Sequence, residues 1–153
     1  MSIFHSINTS ASGLTAQRLR MDTISSNIAN AETTRARLNE AGEWEPYRRK
    51  VLAFEEKDTT FRGQLQNAIH KQSSAGTGSG VQVAEIREDD EPFKMVFNPN
   101  HPDANEDGYV AMPNVEPLKE MVDLMSATRS YEANVTSMNA SKDMLLKALE
   151  IGK

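Results

Sequence analysis

The chain has 153 residues, of which 38% are hydrophobic and 6% aromatic, enough for one domain of ordinary size but thin for a large compact core. Its net charge of −5 contains no long run of one sign, which argues against a nucleic-acid arm and against a polybasic membrane anchor. The absence of cysteine removes disulfides, thiolate nucleophiles and cysteine-based zinc sites together.

Met1 to Ile7 has neither a basic stretch nor a long apolar run, so neither an ordinary secretory signal nor a membrane span is expected. From Ser2, a candidate helix cap, an apolar stripe runs through Ile3, Phe4, Ile7, Ala11, Leu14, Met21, Ile24 and Ile28. Ile7, Leu14, Met21 and Ile28 are spaced by seven, and Ile3 and Ile24 fill the alternate seam position, which predicts a heptad-like helix. The residues around the stripe include Asn8, Thr9, Ser10, Ser12, Thr15, Thr23, Ser25, Ser26 and Asn27, whose side chains compete for backbone hydrogen bonds, and Gly13. A helix of about seven turns with this composition is marginal on its own and is expected to order when docked.

From Arg35 to Trp44 the pattern is polar and broken by Gly42, which reads as a loop. Tyr47, Val51, Ala53 and Phe54 follow Pro46 with rough alternation and predict a strand carrying the basic triplet Arg48, Arg49 and Lys50. The triplet fits either a solvated edge face or a docking site for an acidic neighbour. Glu55 to Thr60 is turn-like, and Phe61, Leu65 and Ile69 give Phe61 to Lys71 a helical spacing that also suits a hairpin extension. Residues 73–80 are a flexible loop by composition; their glycines lack the Lys-Ser or Lys-Thr of a phosphate loop. Val81, Val83 and Ile86 predict a strand, as do Phe93, Met95 and Phe97, and the short acidic connection Glu88 to Pro92 predicts that these two form an antiparallel hairpin.

Asp103 to Gly108 places oxygen donors at loop positions one, three and five and glycine at six, like the opening of an EF-hand. Position twelve is Asn114 rather than a bidentate glutamate, and Pro99 and Pro102 preclude a regular leading helix, so Asx-turns are the simpler reading. His5, His70 and His101 have no partners at metal-ligand spacing, and none stands in a nucleophile-elbow context. No metal, cofactor, small-molecule substrate or enzymatic activity is expected.

The last segment, Asn114 to Ile151, is the longest periodic one. Met121, Leu124, Thr128, Tyr131, Val135, Met138, Leu145 and Leu149 follow a 3-4 spacing interrupted at Lys142. Asn114 is a candidate N-cap, Pro117 suits a first turn and Gly152 a C-cap. Such a rod would be about 55 Å long and needs a partner.

Arg20 to Thr34, with its Asn27-Ile28-Ala29-Asn30 core, resembles the signature of the flagellar rod and hook axial protein family, departing at Glu32 where a second asparagine is expected. Pro46 to Arg49, Asn98 to Asp103, Gly108 to Val115 and Arg129 to Asn134 are similar to the same family, and the small insertion between the termini resembles its short, proximal rod members. The resemblance implies an α+β fold: residues 1–34 and 109–153 supply two long helices paired as a coiled-coil-like core domain, and 35–108 a small antiparallel β-rich middle domain. It implies a structural subunit of the proximal rod that assembles helically with copies of itself and other axial proteins, transmits torque and leaves the cytoplasm through the flagellar type III export apparatus without a cleaved signal peptide. The expected assembly interface comprises Ile7, Leu14, Met21, Ile24 and Ile28 facing Leu124, Tyr131, Val135, Met138 and Leu145, with Asn27 and Asn30 fixing the turn after the first helix. A soluble coiled-coil adaptor or export chaperone of a type III secretion system is the alternative reading.

Overall fold

The computed structural model describes residues 3–39, 42–57 and 80–151. The expectations placed on Ser2, His70, Phe61 to Lys71, residues 73–79 and Gly152 lie outside those residues. The element order is helix α1 (Ile3–Ala29), strands β1 (Arg37–Leu38), β2 (Trp44–Glu45), β3 (Lys50–Glu56), β4 (Val81–Glu88), β5 (Lys94–Phe97) and β6 (Tyr109–Met112), and helix α2 (Pro117–Ile151). The fold is α+β, with two long helices packed together and small antiparallel sheets between them in sequence.

Several hydroxyls of α1 are satisfied by bonding back to carbonyls of the helix itself. Thr9 Oγ1 donates to the His5 carbonyl at 2.9 Å, Ser12 Oγ to Thr9 at 2.7 Å, Thr15 Oγ1 to Ala11 at 3.1 Å and Thr23 Oγ1 to Leu19 at 2.9 Å. The helix ends at a turn built by Asn30, whose Nδ2 donates to the Ser26 carbonyl at 2.9 Å and whose Oδ1 accepts the Thr33 hydroxyl at 3.2 Å. Glu32 is exposed, so the departure from the family signature falls on a side chain that faces solvent.

α2 starts with Pro117 at its first position, where a missing N–H costs nothing. Asn114 is not its cap. That side chain is buried three residues earlier and is spent on loop backbone, while Glu120 N–H closes the first helical bond on the Glu116 carbonyl at 3.0 Å. The helix has 35 residues, about 52 Å at the usual rise.

The strands form three two-stranded sheets, β1 with β2, β3 with β4, and β5 with β6. The expected hairpin between the strands at 81–86 and 93–97 is therefore corrected: β5 pairs with β6, Lys94 opposite Met112 and Phe97 opposite Tyr109. The acidic connection does not act as a hairpin turn because its backbone is held elsewhere. Asp89 N–H donates to the Arg49 carbonyl at 2.8 Å, and Asn114 Nδ2 reaches the carbonyls of Asp89 and Glu91 at 3.3 and 3.0 Å.

The chain divides into two compact units. One comprises Met1–Arg18, Ala53–Ala84 and Thr128–Lys153, the other Leu19–Leu52 and Glu85–Ala127. In the first, the helices meet through small side chains: Ser6 and Ser141 hydroxyls lie 3.2 Å apart, and Gly13 faces the Asn134 amide. In the second, the buried apolar residues include Ile24, Tyr47, Val110, Pro113, Val115 and Ala127. Burying one such side chain contributes about 1.5–3 kcal/mol, so polar contacts must supply much of the specificity. No described helix is long and apolar enough to cross a membrane.

Candidate assembly site

The second unit is organised by a polar joint that ties the end of α1 to the start of α2 and to β3. Asn27 is 1% exposed, and its whole amide is used. Nδ2 donates to the Lys50 carbonyl at 2.9 Å and to Glu120 Oε2 at 3.0 Å; Oδ1 accepts the Lys50 N–H at 2.9 Å and the Tyr47 hydroxyl at 3.0 Å. Two backbone groups of one residue thus bond one side chain, which fixes the first residue of β3 against α1.

Glu120, also 1% exposed, accepts Arg49 Nε on Oε1 at 2.7 Å. Its place in the first turn of α2 favours a negative charge, because the free N–H groups there carry the positive end of the helix dipole. Arg49 also reaches Asp89 at 3.1 Å and Asp123 at 3.7 Å, while Arg20 bonds Asp123 at 3.4 Å. Its backbone N–H is taken by Asn114 Oδ1 at 2.8 Å. Burial pulls the Arg49 pKa down, but hydrogen bonds to Glu120 and Asp89 outweigh it and hold the group above its ordinary value. Asp89 is held below its ordinary value chiefly by the Glu91 N–H, with burial opposing and Arg49 adding to the depression.

The basic triplet thus splits three ways. Arg49 points inward to acidic neighbours within its own unit. Arg48 lies with its guanidinium 4.4 Å from the centre of the Phe93 ring, and Lys50 places its ammonium 5.7 Å from that of Tyr47.

In the loop that opens like an EF-hand, the oxygens of Asp103 and Asn105 serve the fold. Asp103 accepts Arg35 Nε at 2.6 Å and the Thr34 hydroxyl at 2.8 Å, and these bonds, led by Arg35, depress its pKa while raising that of Arg35. Asn105 Oδ1 accepts the Tyr109 N–H at 2.7 Å, and Gly108 turns the chain with φ +79°. The Asx-turn expectation is corrected here: Asn105 bonds the backbone four residues on rather than two, and Asp103 is spent on the side chains of Thr34 and Arg35.

Of the expected interface residues, Ile24 and Asn27 are buried, while Ile7, Leu14, Met21, Ile28 and Asn30 on or beyond α1 are half-buried. Leu124, Tyr131, Val135, Met138 and Leu145 on α2 are half-buried as well. Direct contacts between the two helices run through residues one step aside. Ser6, Gly13 and Asn27 recur at multiples of seven on α1, and Glu120, Ala127, Asn134 and Ser141 at sevens on α2. Small and hydrogen-bonding groups allow the backbones close, and the larger apolar residues flank them. Met121 and Leu149 are accordingly exposed at 45% and 70%.

Asp89 and Glu120 are functional to this arrangement and are not singled out by sequence pattern; Arg49 is read only as one of the basic triplet and Asn114 only as a helix cap. The available signal was Asn27, a carboxamide next to the apolar stripe at a position that the helix period turns inward.

Comparison with known proteins agrees with this architecture at both ends. Residues 7–37 match the family of flagella basal body rod proteins, and residues 106–151 match the C-terminal family of flagellar basal body rod FlgEFG proteins. Over its full length the chain is 58% identical to the flagellar basal-body rod protein FlgC of Bacillus subtilis, with all of both chains covered. It is 44% identical to FlgC of Borreliella burgdorferi, covering 99% of this chain and 98% of that one, and 37% identical to FlgC of Escherichia coli O6:H1, covering all of both. The paired terminal helices and the asparagine-centred joint between them therefore belong to a member of the FlgC family of flagellar basal-body rod proteins.

Proposed function

We propose that the chain is a mechanical, non-catalytic subunit of the proximal part of the flagellar rod, assembling helically with copies of itself and with other axial proteins to carry motor torque. The observation that carries this reading is the half-covered apolar surface along both helices. Leu124, Tyr131, Val135, Met138 and Leu145 keep exposed area after the helices have paired, and so do Ile7, Leu14, Met21 and Ile28. At about 25 cal/mol per Å², covering that area against several neighbours outweighs the ordering cost of a low-propensity helix where a single contact does not. Residues 1–34 and 109–153 are assigned to the assembling core and 35–108 to a middle domain borne on it.

The same reading places the chain in the basal body beyond the inner membrane, delivered by the flagellar type III export apparatus without a cleaved signal. A hydroxyl-rich α1 that orders only when docked suits passage in an unfolded state. The test is Met138→Asp, expressed in a flagellated bacterium in place of the resident homologue. Export of the variant with loss of rod assembly and motility is the expected result; normal motility would remove the helix face from the mechanism.

A further inference from the structure

Two features left without partners lie on the same unit, Leu19–Leu52 with Glu85–Ala127. The first is a groove. A cavity of about 410 Å³ lined by Tyr47, Arg48, Lys50 and Glu88 adjoins a second of about 460 Å³, which shares Lys50 and Glu88 and adds Arg87 and, as one opposing charge, Asp22. Volumes of about 300–1,000 Å³ are those of pockets that hold ligands. Two other cations at its border are already engaged, Arg35 by Asp103 and Arg37 by Glu45 and Glu88. Arg48, Lys50 and Arg87 have no carboxylate partner among the described residues. In a chain of net charge −5 this groove is a local reversal of sign.

The second feature is the tip of the β5–β6 hairpin. Asn105 and Gly108 close it through the 2.7 Å bond from Tyr109 N–H to Asn105 Oδ1 and the 2.9 Å bond from Gly108 N–H to the Asn105 carbonyl. Between them Glu106 and Asp107 are exposed, with no cation partner among the described residues. A tight turn fixes the backbone that carries both carboxylates, so little ordering remains to be done on binding.

We propose that the groove of one copy receives the Glu106–Asp107 tip of a second copy, with Arg48 and Lys50 pairing its carboxylates. The Phe93 and Tyr47 rings beneath these cations hold them in place. Donor and acceptor are different surfaces of one unit, so the contact can be used head-to-tail. Used in that way it leaves one groove and one tip free, and repetition builds a ring or an open helical chain. The inference rests on the reading of the chain as an assembling rod subunit and adds a charged contact separate from the helix faces.

The test is a reciprocal charge reversal in the full-length chain, with Arg48→Glu plus Lys50→Glu as one variant and Glu106→Lys plus Asp107→Lys as the other. Sedimentation at low salt is expected to show wild-type self-association that weakens about tenfold or more in each variant alone and as ionic strength rises. An equimolar mixture of the two variants restores every opposite-charge pairing and should recover association. Circular dichroism verifies that each variant is folded, and the milder Arg48→Gln plus Lys50→Gln gives an intermediate loss if the reversal perturbs the fold. A wild type that stays monomeric, variants that associate like wild type, or a mixture that fails to recover would each overturn the proposal. Recovery of both variants in intact basal bodies would reject this contact while leaving the rod reading in place; absence of the wild-type chain from basal bodies would reject the rod reading itself.

Discussion

Asn27 Nδ2 donates to Glu120 Oε2 across 3.0 Å, and each of the two side chains is 1% exposed. The bond joins the last turn of α1 to the first turn of α2, and every other polar atom of Asn27 is also in use. Asn27→Ala leaves a buried carboxylate oxygen and the part-buried N–H and carbonyl of Lys50 without their partner. The expected loss is about 2–4 kcal/mol, read as a lower urea midpoint.

Arg49 balances the buried Glu120. Arg49→Met should cost about 3 kcal/mol, because removing one member of a buried pair strands the other. Adding Glu120→Gln to that variant should recover part of the loss, whereas independent contributions would add. A double-mutant cycle by chemical denaturation measures the difference.

Two glycines separate conformational strain from steric collision. Gly42 adopts φ +82° with no atom near its missing Cβ, so Gly42→Ala should cost about 1 kcal/mol for backbone alone. Gly80 adopts φ +114°, and a Cβ there would collide with Ser12 Oγ, which also accepts the Val81 N–H at 3.1 Å. Gly80→Ala should cost about 1–3 kcal/mol, visibly more than Gly42→Ala in thermal denaturation. Equal losses would show that Ser12 moves aside freely.

Stability should fall on the acid side. Asp89 and Asp103 both have folded pKa values below their ordinary 3.8, the first chiefly through the Glu91 N–H and the second through Arg35. A carboxylate of this kind stabilises the fold fully above its unfolded pKa and progressively less as pH drops through the folded value. Urea midpoints should therefore be flat well above pH 3.8 and decline below it. Asp103→Asn should make that decline shallower.

Both helices were legible because heptad spacing survives in a single sequence, and α1 ends where its asparagine signature does. The line of contact between them was harder to read. Apolar spacing points to Leu124 and Met138; the contacts at Gly13, Asn134 and Ser141 come from residues that pattern analysis scores as neutral. Strand existence was recovered at 81–86 and 93–97 and their mutual pairing was not, since a short acidic connection looks like a turn until Arg49 and Asn114 are known to hold it. Glu120 reads from sequence as one more exposed acid on a helix; only its partners, distant along the chain, make it internal.

The back-bonded hydroxyls of α1 bear on more than helix formation. A serine or threonine whose proton is already given to its own backbone has little water to surrender when another surface covers it. Where such hydroxyls stay open to solvent, at Thr9 and Thr15, α1 therefore behaves in contact as a drier surface than its composition states. Tight packing between subunits can be achieved without the leucine content that would make the free chain aggregate.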